Sequence, residues 1–160
     1  MEQQDIKTIK TTQGELRYYR DWDNYEGGVV MLNAQTIKRY RQIKDTHPDA
    51  DKYGVFWAFS REQFAEGYNR LVKLGHIKDG DKISQDKETG CYGTKDGLQG
   101  FFKFYDDNLA NIPKECDPQE VYFYEYNNHE CMFSWDGDED AIKIIRLYWG
   151  DEVAEKIHRI

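Results

Sequence analysis

The stretch that decides the fold is Val121–Gly150, VYFYEYNNHECMFSWDGDEDAIKIIRLYWG. In its first seven residues Tyr122, Tyr124 and Tyr126 alternate with other side chains, so they would share one face of a strand. The pair Asn127-Asn128 follows, and asparagine tolerates the left-handed backbone of a tight turn. The pattern predicts a β-hairpin whose second strand is NHECMFSW.

The last part of this stretch predicts a helix. Ile142, Ile145 and Trp149 recur at helical spacing and would lie on one side. Acidic residues lead into the segment, and carboxylates are favoured at the positive end of a helix dipole. These residues are Asp136, Asp138, Glu139 and Asp140.

Upstream, the clearest local pattern is an apolar strand, residues 54–59, that runs into a helix. Ser60 and Gln63 have the spacing of a capping box, Phe59 and Phe64 that of a hydrophobic staple, and Gly75 ends the pattern. The remaining segments predict strands at residues 15–20 and 29–32, with helices after Asn33 and after Thr94, where Gly97 and Gly100 indicate close packing. We therefore predict one α+β domain over residues 1–160. It would hold a small, mostly antiparallel sheet with a C-terminal β-hairpin, packed by four to five helices.

Composition favours a globular protein of the cytoplasm. Hydrophobic residues make up 39% of the chain and aromatic residues 15%. No apolar run is long enough to span a membrane, and the start, MEQQDIKTIK, lacks the apolar core of a signal peptide. Cys91, Cys116 and Cys131 are widely spaced and odd in number, which is typical of free thiols in a reducing compartment.

The charge is unevenly distributed. The net charge is −8, yet residues 106–140 contain eleven carboxylates and one cation, Lys114, for a local net charge of −10. Such a segment repels nucleic acid and attracts basic proteins. The predicted binding surface combines acidic and aromatic side chains. The acidic set is Glu125, Glu130, Asp136, Asp138, Glu139 and Asp140, and the aromatic set is Tyr122, Tyr124 and Tyr126.

Three sequence patterns bear on possible chemical sites. The acids from Asp136 onward begin like a calcium loop, but Ala141 and Leu147 replace the glycine and glutamate that such a loop needs. His129 and Cys131 would share a strand face, which leaves open a metal site or a Cys/His hydrolase. The glycine-rich residues 90–97 lack the spacing of a phosphate loop, and Asp96 would repel a phosphate. We predict no cofactor and no metal.

Two segments, WAFSREQF at residues 57–64 and YNNHECM at residues 126–132, resemble an uncharacterised group of small proteins. That group is found in gut Bacteroidales and their phages or mobile elements. The resemblance carries no known activity. It implies a phage or mobile-element context, in which small acidic proteins often act by binding another protein.

Together these observations predict a non-enzymatic acidic protein that docks on a basic protein partner. A specific version is a DNA-mimicking inhibitor of a nuclease or another defence protein. A small metal-dependent or Cys/His hydrolase and a structural subunit of a larger assembly stay open as alternatives.

Overall fold

The computed structural model describes residues 4–23, 28–78 and 80–160, and it is an α+β protein with two three-stranded antiparallel sheets. The strands are β1 (Lys7–Thr11), β2 (Gly14–Arg20), β3 (Val29–Met31), β4 (Val55–Phe56), β5 (Ser84–Gln85) and β6 (Tyr92–Gly93). The helices are α1 (Ile37–Asp45), α2 (Ala50–Tyr53), α3 (Arg61–Lys73), α4 (Lys95–Leu109), α5 (Ile112–Glu115), α6 (Pro118–Asn128), α7 (Glu139–Trp149) and α8 (Asp151–Glu155). A 3-10 turn, Cys131–Phe133, lies between α6 and α7.

The chain divides into two compact units, and each is described by itself. The first unit comprises residues 1–45 and 110–160, and the second comprises residues 46–109. The single-domain organisation stays a prediction.

The sheet of the first unit is a meander with strand order β1-β2-β3. The register pairs Ile9 with Leu16 and Tyr19 with Val30. Leu16 and Tyr18 are buried, while Glu15 and Arg17, which alternate with them along β2, are exposed. This alternation is that of a sheet with one face on the core and the other in solvent.

Helix α6 occupies the centre of the first unit. Val121, Tyr122 and Phe123 are fully buried although they point in three successive directions around the helix axis. They pack with apolar residues of α7, among them Ile142 and Ile145, which are also buried. A helix buried on every side has no polar face and therefore no amphipathic period.

The predicted C-terminal hairpin is wrong, because residues 118–128 form this helix instead of a strand. Tyrosine, phenylalanine and valine have high β-propensity, and a buried helix and a buried strand cannot be distinguished by periodicity. A start signal was nevertheless present. The Asp117 side chain accepts a hydrogen bond from the Glu120 backbone N–H, and Pro118 follows at the first helical position.

Two side-chain amides of α6 hold other segments against the helix. Each amide bonds to both the N–H and the carbonyl of one residue, as a neighbouring β-strand would. The Asn127 Oδ1 accepts from the Val29 N–H at 3.0 Å, and its Nδ2 donates to the Val29 carbonyl at 2.7 Å. Gln119 makes the same two-bond contact with the backbone of His158, at 2.8 and 3.0 Å. Asn127 therefore fixes β3 against the helix rather than forming the predicted turn.

The start of α1 also differs from the prediction. Asn33, expected to cap it, lies beside β2, where it accepts from the Arg17 N–H and donates to the Glu15 carbonyl, both at 2.7 Å. The helix begins at Ile37, after Thr36.

The second unit has an aromatic core. Phe56 packs there with Leu71 and Ile77, and its ring stacks on that of Tyr92 at 5.5 Å. The sheet has the strand order β4-β6-β5. The strand predicted over residues 54–59 is shorter in the structure, where β4 comprises only Val55–Phe56.

The Ser60 cap predicted at the start of α3 is confirmed, but the Gln63 side chain closes on Phe59 instead of on Ser60 as in a capping box. Ser60 Oγ accepts from the Gln63 N–H, and Gln63 Oε1 accepts from the Phe59 N–H. The staple is not formed as predicted, because Phe59 is 90% exposed. At the start of α4, a Cβ on Gly97 would lie 2.5 Å from the Tyr53 carbonyl oxygen, which is the close approach that the sequence predicted.

We predict that Asn127→Ala lowers the free energy of unfolding by about 1–3 kcal/mol, because it leaves the Val29 N–H and carbonyl without partners in a partly buried site. Urea denaturation monitored by circular dichroism measures this. Asn69→Ala is the control, since Asn69 is also a helical asparagine and is exposed. Equal losses for the two variants would contradict the role assigned to Asn127.

Candidate functional site

Four carboxylates of the acidic segment are inside the first unit rather than on its surface. They are Asp117, Glu120, Glu125 and Asp138. Asp117 accepts from the Thr12 N–H at 3.0 Å, and Glu120 accepts from the N–H groups of Gln35 and Thr36 at 2.7 and 2.8 Å. These acids bind backbone donors of distant segments, so their charge is used within the fold.

Glu125, one of the predicted binding residues, is only 3% exposed. Its carboxylate accepts from the Tyr40 hydroxyl at 2.8 Å and lies 3.0 Å from His129 Nε2. Burial, and after it the hydrogen bond to Glu125, raises the pKa of Tyr40. The side chain therefore links α1 to α6 and is not offered to a partner.

Asp138 is also buried, at the point where the chain enters α7. Its carboxylate accepts a hydrogen bond from the Tyr122 hydroxyl and a two-pronged contact from the Arg159 guanidinium. The Arg159 contact, followed by the Tyr122 bond, holds the pKa of Asp138 below its usual value, against the effect of burial. Glu139, half-exposed, contacts the same guanidinium at 3.2 Å.

The three predicted tyrosines do not form an exposed row. Because residues 118–128 are helical, Tyr122 and Tyr126 lie one turn apart, with ring centroids 6.2 Å from each other, and both are buried. Tyr124 points elsewhere, is half-buried, and meets Tyr40 edge to face at 5.7 Å. The rings contribute to the core.

His129 and Cys131 differ in their surroundings. His129 caps the end of α6 and pairs with Glu125, whereas Cys131 is 3% exposed. Burial raises the pKa of the Cys131 thiol, and a protonated thiol is a poor nucleophile and metal ligand. Within the described part of the chain, no group of three or more His, Cys, Asp or Glu side chains is placed to hold a metal ion.

The predicted residues that do reach solvent fall in one segment, Glu130–Asp140, which we call the acidic loop. Glu130, Asp136 and Asp140 are exposed there, and none of them forms an ion pair with another described residue. Between them the loop displays two large aromatic side chains. Phe133 is 59% exposed, and Trp135 is fully exposed.

The acidic loop is held by its own backbone and by two buried anchors. The N–H groups of Phe133, Ser134 and Gly137 donate to carbonyls three residues earlier, at 2.9, 3.1 and 3.2 Å. Cys131 at one end and Asp138 near the other are inserted into the unit. Trp135 is thus presented on a hydrogen-bonded turn.

Glu130 has a backbone conformation that is unusual for its residue type. Its φ of 50° and ψ of 39° lie in the left-handed region, where glycine is the usual residue after a helix end. Among the residues described, it is the one non-glycine with positive φ. Backbone strain of this kind is found most often at functional sites.

Phe133 and Trp135 were missed as functional candidates because both were assigned to the second strand of the hairpin. The sequence around the tryptophan, Ser134–Gly137, could have indicated their exposure, because serine, aspartate and glycine favour an exposed turn over a strand. The buried acids were missed because burial depends on contacts with residues distant in sequence.

Comparison of the chain with protein-family models, curated proteins and solved structures finds no match. The site is therefore interpreted from its geometry. In the described ranges, no helix combines the length and apolar character needed to cross a membrane.

We predict that Asp138→Asn lowers the free energy of unfolding at pH 7. The difference in this free energy between the variant and the unsubstituted protein should become smaller as the pH falls toward 3. The pKa of Asp138 in the folded protein is lowered from its ordinary value of 3.8, so the ionised carboxylate stabilises the fold. This stabilisation is complete above the ordinary pKa. It is lost as the pH falls through the pKa of the folded state. Urea midpoints for both proteins between pH 7 and pH 3 test this. A deficit independent of pH would contradict it.

A second prediction concerns Glu130. Glu130→Gly should raise the free energy of unfolding by about 1 kcal/mol, because glycine adopts positive φ without the Cβ clash. Chemical denaturation measures the gain, and Glu130→Ala, which keeps the Cβ, should not show it. A loss of stability in the glycine variant would show that the Glu130 side chain itself stabilises the fold.

Proposed function

We propose that this protein is a non-enzymatic binding protein that docks on a basic partner protein through the acidic loop. The observation that carries the proposal is Trp135, which is fully exposed on an anchored turn whose exposed charged neighbours are carboxylates. Tryptophan is among the residues that most often dominate the energy of protein interfaces.

The arrangement suits association for two physical reasons. An exposed indole gains free energy when a partner removes it from water, and a turn that is already hydrogen-bonded loses little freedom on binding. The carboxylates of Glu130, Asp136 and Asp140 add a negative field, which increases the rate of encounter with a basic surface and selects against acidic ones.

A narrower form of the proposal is that the partner is a nucleic-acid-binding enzyme and that the acidic loop competes with DNA for its basic surface. The sequence resemblance described above implies a phage or mobile-element setting, where an inhibitor of a nuclease or another defence protein would act. The segregated carboxylates support this form, because a surface that attracts phosphates also attracts them.

The test uses the immobilised protein to capture partners from a host-cell lysate at low and raised salt. We predict that a basic protein is retained at low salt and released as salt rises. Capture should fall by at least about tenfold for Trp135→Ala and for the triple reversal Glu130→Lys, Asp136→Lys, Asp140→Lys, as expected for loss of an interface hot spot.

The matched control reverses three exposed acids elsewhere, Glu66→Lys, Glu88→Lys and Glu155→Lys, which changes the net charge equally. Capture that falls equally in both triple variants would show general charge attraction and overturn a role for the acidic loop. The narrower form requires that duplex DNA displaces the protein from the purified partner. A partner that binds no DNA would overturn that form alone.

A further inference from the structure

A second candidate site, independent of the acidic loop, lies in the second unit. A cavity of about 670 Å³ opens beside the first turn of α4. Four lysines from three separate segments line it, namely Lys52 of α2, Lys78 and Lys82 after α3, and Lys95 at the start of α4. This volume is in the range of small-molecule sites.

The cavity combines these lysines with a smaller number of acids. None of the four is paired with a carboxylate in the described part of the chain, and Lys52 Nζ lies 5.6 Å from the centre of the Tyr53 ring. Two acids, Asp81 and Asp96, also line the cavity. Asp81 is engaged locally, because its Oδ2 accepts from the Lys78 N–H at 2.8 Å. Among the described lining residues, four lysines and two aspartates leave a formal charge of about +2, which favours binding of an anion.

Backbone N–H groups at the start of α4 provide hydrogen-bond donors beside these lysines. The Thr94 hydroxyl accepts from the Gly97 N–H at 3.1 Å, and the Thr94 carbonyl accepts from the Leu98 N–H at 2.9 Å. The N–H groups of Lys95 and Asp96 are then the first-turn donors left to bind a ligand. Gly97 permits this placement, since any side chain there would collide with the Tyr53 carbonyl.

We propose that this cavity binds the phosphate monoester group of a small molecule, with the ammonium groups of its four lysines as partners. A phosphate monoester carries a charge of roughly −1.5 to −2 near pH 7, which matches the excess of lysine over aspartate. Tyr53 also lines the cavity. The phosphate-loop spacing that the sequence lacks is not needed, because the lining lysines come from three separate segments.

The experiment titrates the intact protein with adenosine monophosphate at constant ionic strength and follows backbone amide NMR shifts. Saturable shifts at Lys95, Asp96 and Gly97 are expected, with adenosine giving none. Inorganic phosphate in a separate titration should bind the same amides more loosely, which distinguishes an esterified from a free phosphate.

The double variant Lys82→Gln, Lys95→Gln should weaken the binding of adenosine monophosphate by roughly tenfold or more, as expected for loss of two charge-assisted contacts. Lys73→Gln is the control, because Lys73 is exposed in the same unit and does not line the cavity. Asp96→Asn should strengthen binding, since it removes a repulsive charge from the first turn of α4.

Several results would overturn the proposal. These are the absence of saturable shifts, equal shifts with adenosine, tighter binding of inorganic phosphate, equal weakening in Lys73→Gln, or weaker binding in Asp96→Asn. Preferential binding of a duplex oligonucleotide would equally overturn it, because the proposed ligand is a small molecule. Circular dichroism of each variant confirms that the fold is retained, and none of these outcomes depends on the acidic loop.

Discussion

The first unit depends on the burial of α6 and on the hydrogen bonds that this burial makes obligatory. A helix enclosed on all sides still carries polar side chains, and each polar group inside must find a partner or lose the free energy of its contact with water. Glu120 meets this requirement with the backbone of Gln35 and Thr36, Gln119 with that of His158, and Asn127 with that of Val29. Distant segments are therefore held at defined positions against one helix.

The same constraint divides the acidic residues into two populations. Glu125 and Asp138 are enclosed with hydroxyl, imidazole and guanidinium partners, and they stabilise the arrangement of helices. Glu130, Asp136 and Asp140 remain in solvent on a turn anchored by the buried Cys131 and Asp138. Asp138 thus anchors the acidic loop from inside the unit, and the three exposed acids share that loop with the exposed Trp135.

The second unit is stabilised in a different way. Its core relies on ring contacts, such as that between Phe56 and Tyr92, and on the capped helix α3. Close backbone packing at Gly97 positions the first turn of α4 beside a cavity lined by lysines. Four lysines thus line a cavity of the second unit, whereas the exposed carboxylates of the acidic loop belong to the first.

Local sequence determined the elements whose signals are local. Patterns within about ten residues predict the cap at Ser60, the strands around Tyr18 and Val30, and the helix that contains Ile142 and Ile145. Such signals are local because a cap or an amphipathic face acts over one or two helical turns. Tertiary structure alone decided the rest. A helix buried on every side leaves no period to detect, and whether a carboxylate is a core residue or a binding residue depends on partners about 80 to 105 positions away, as for Glu120 and Asp117.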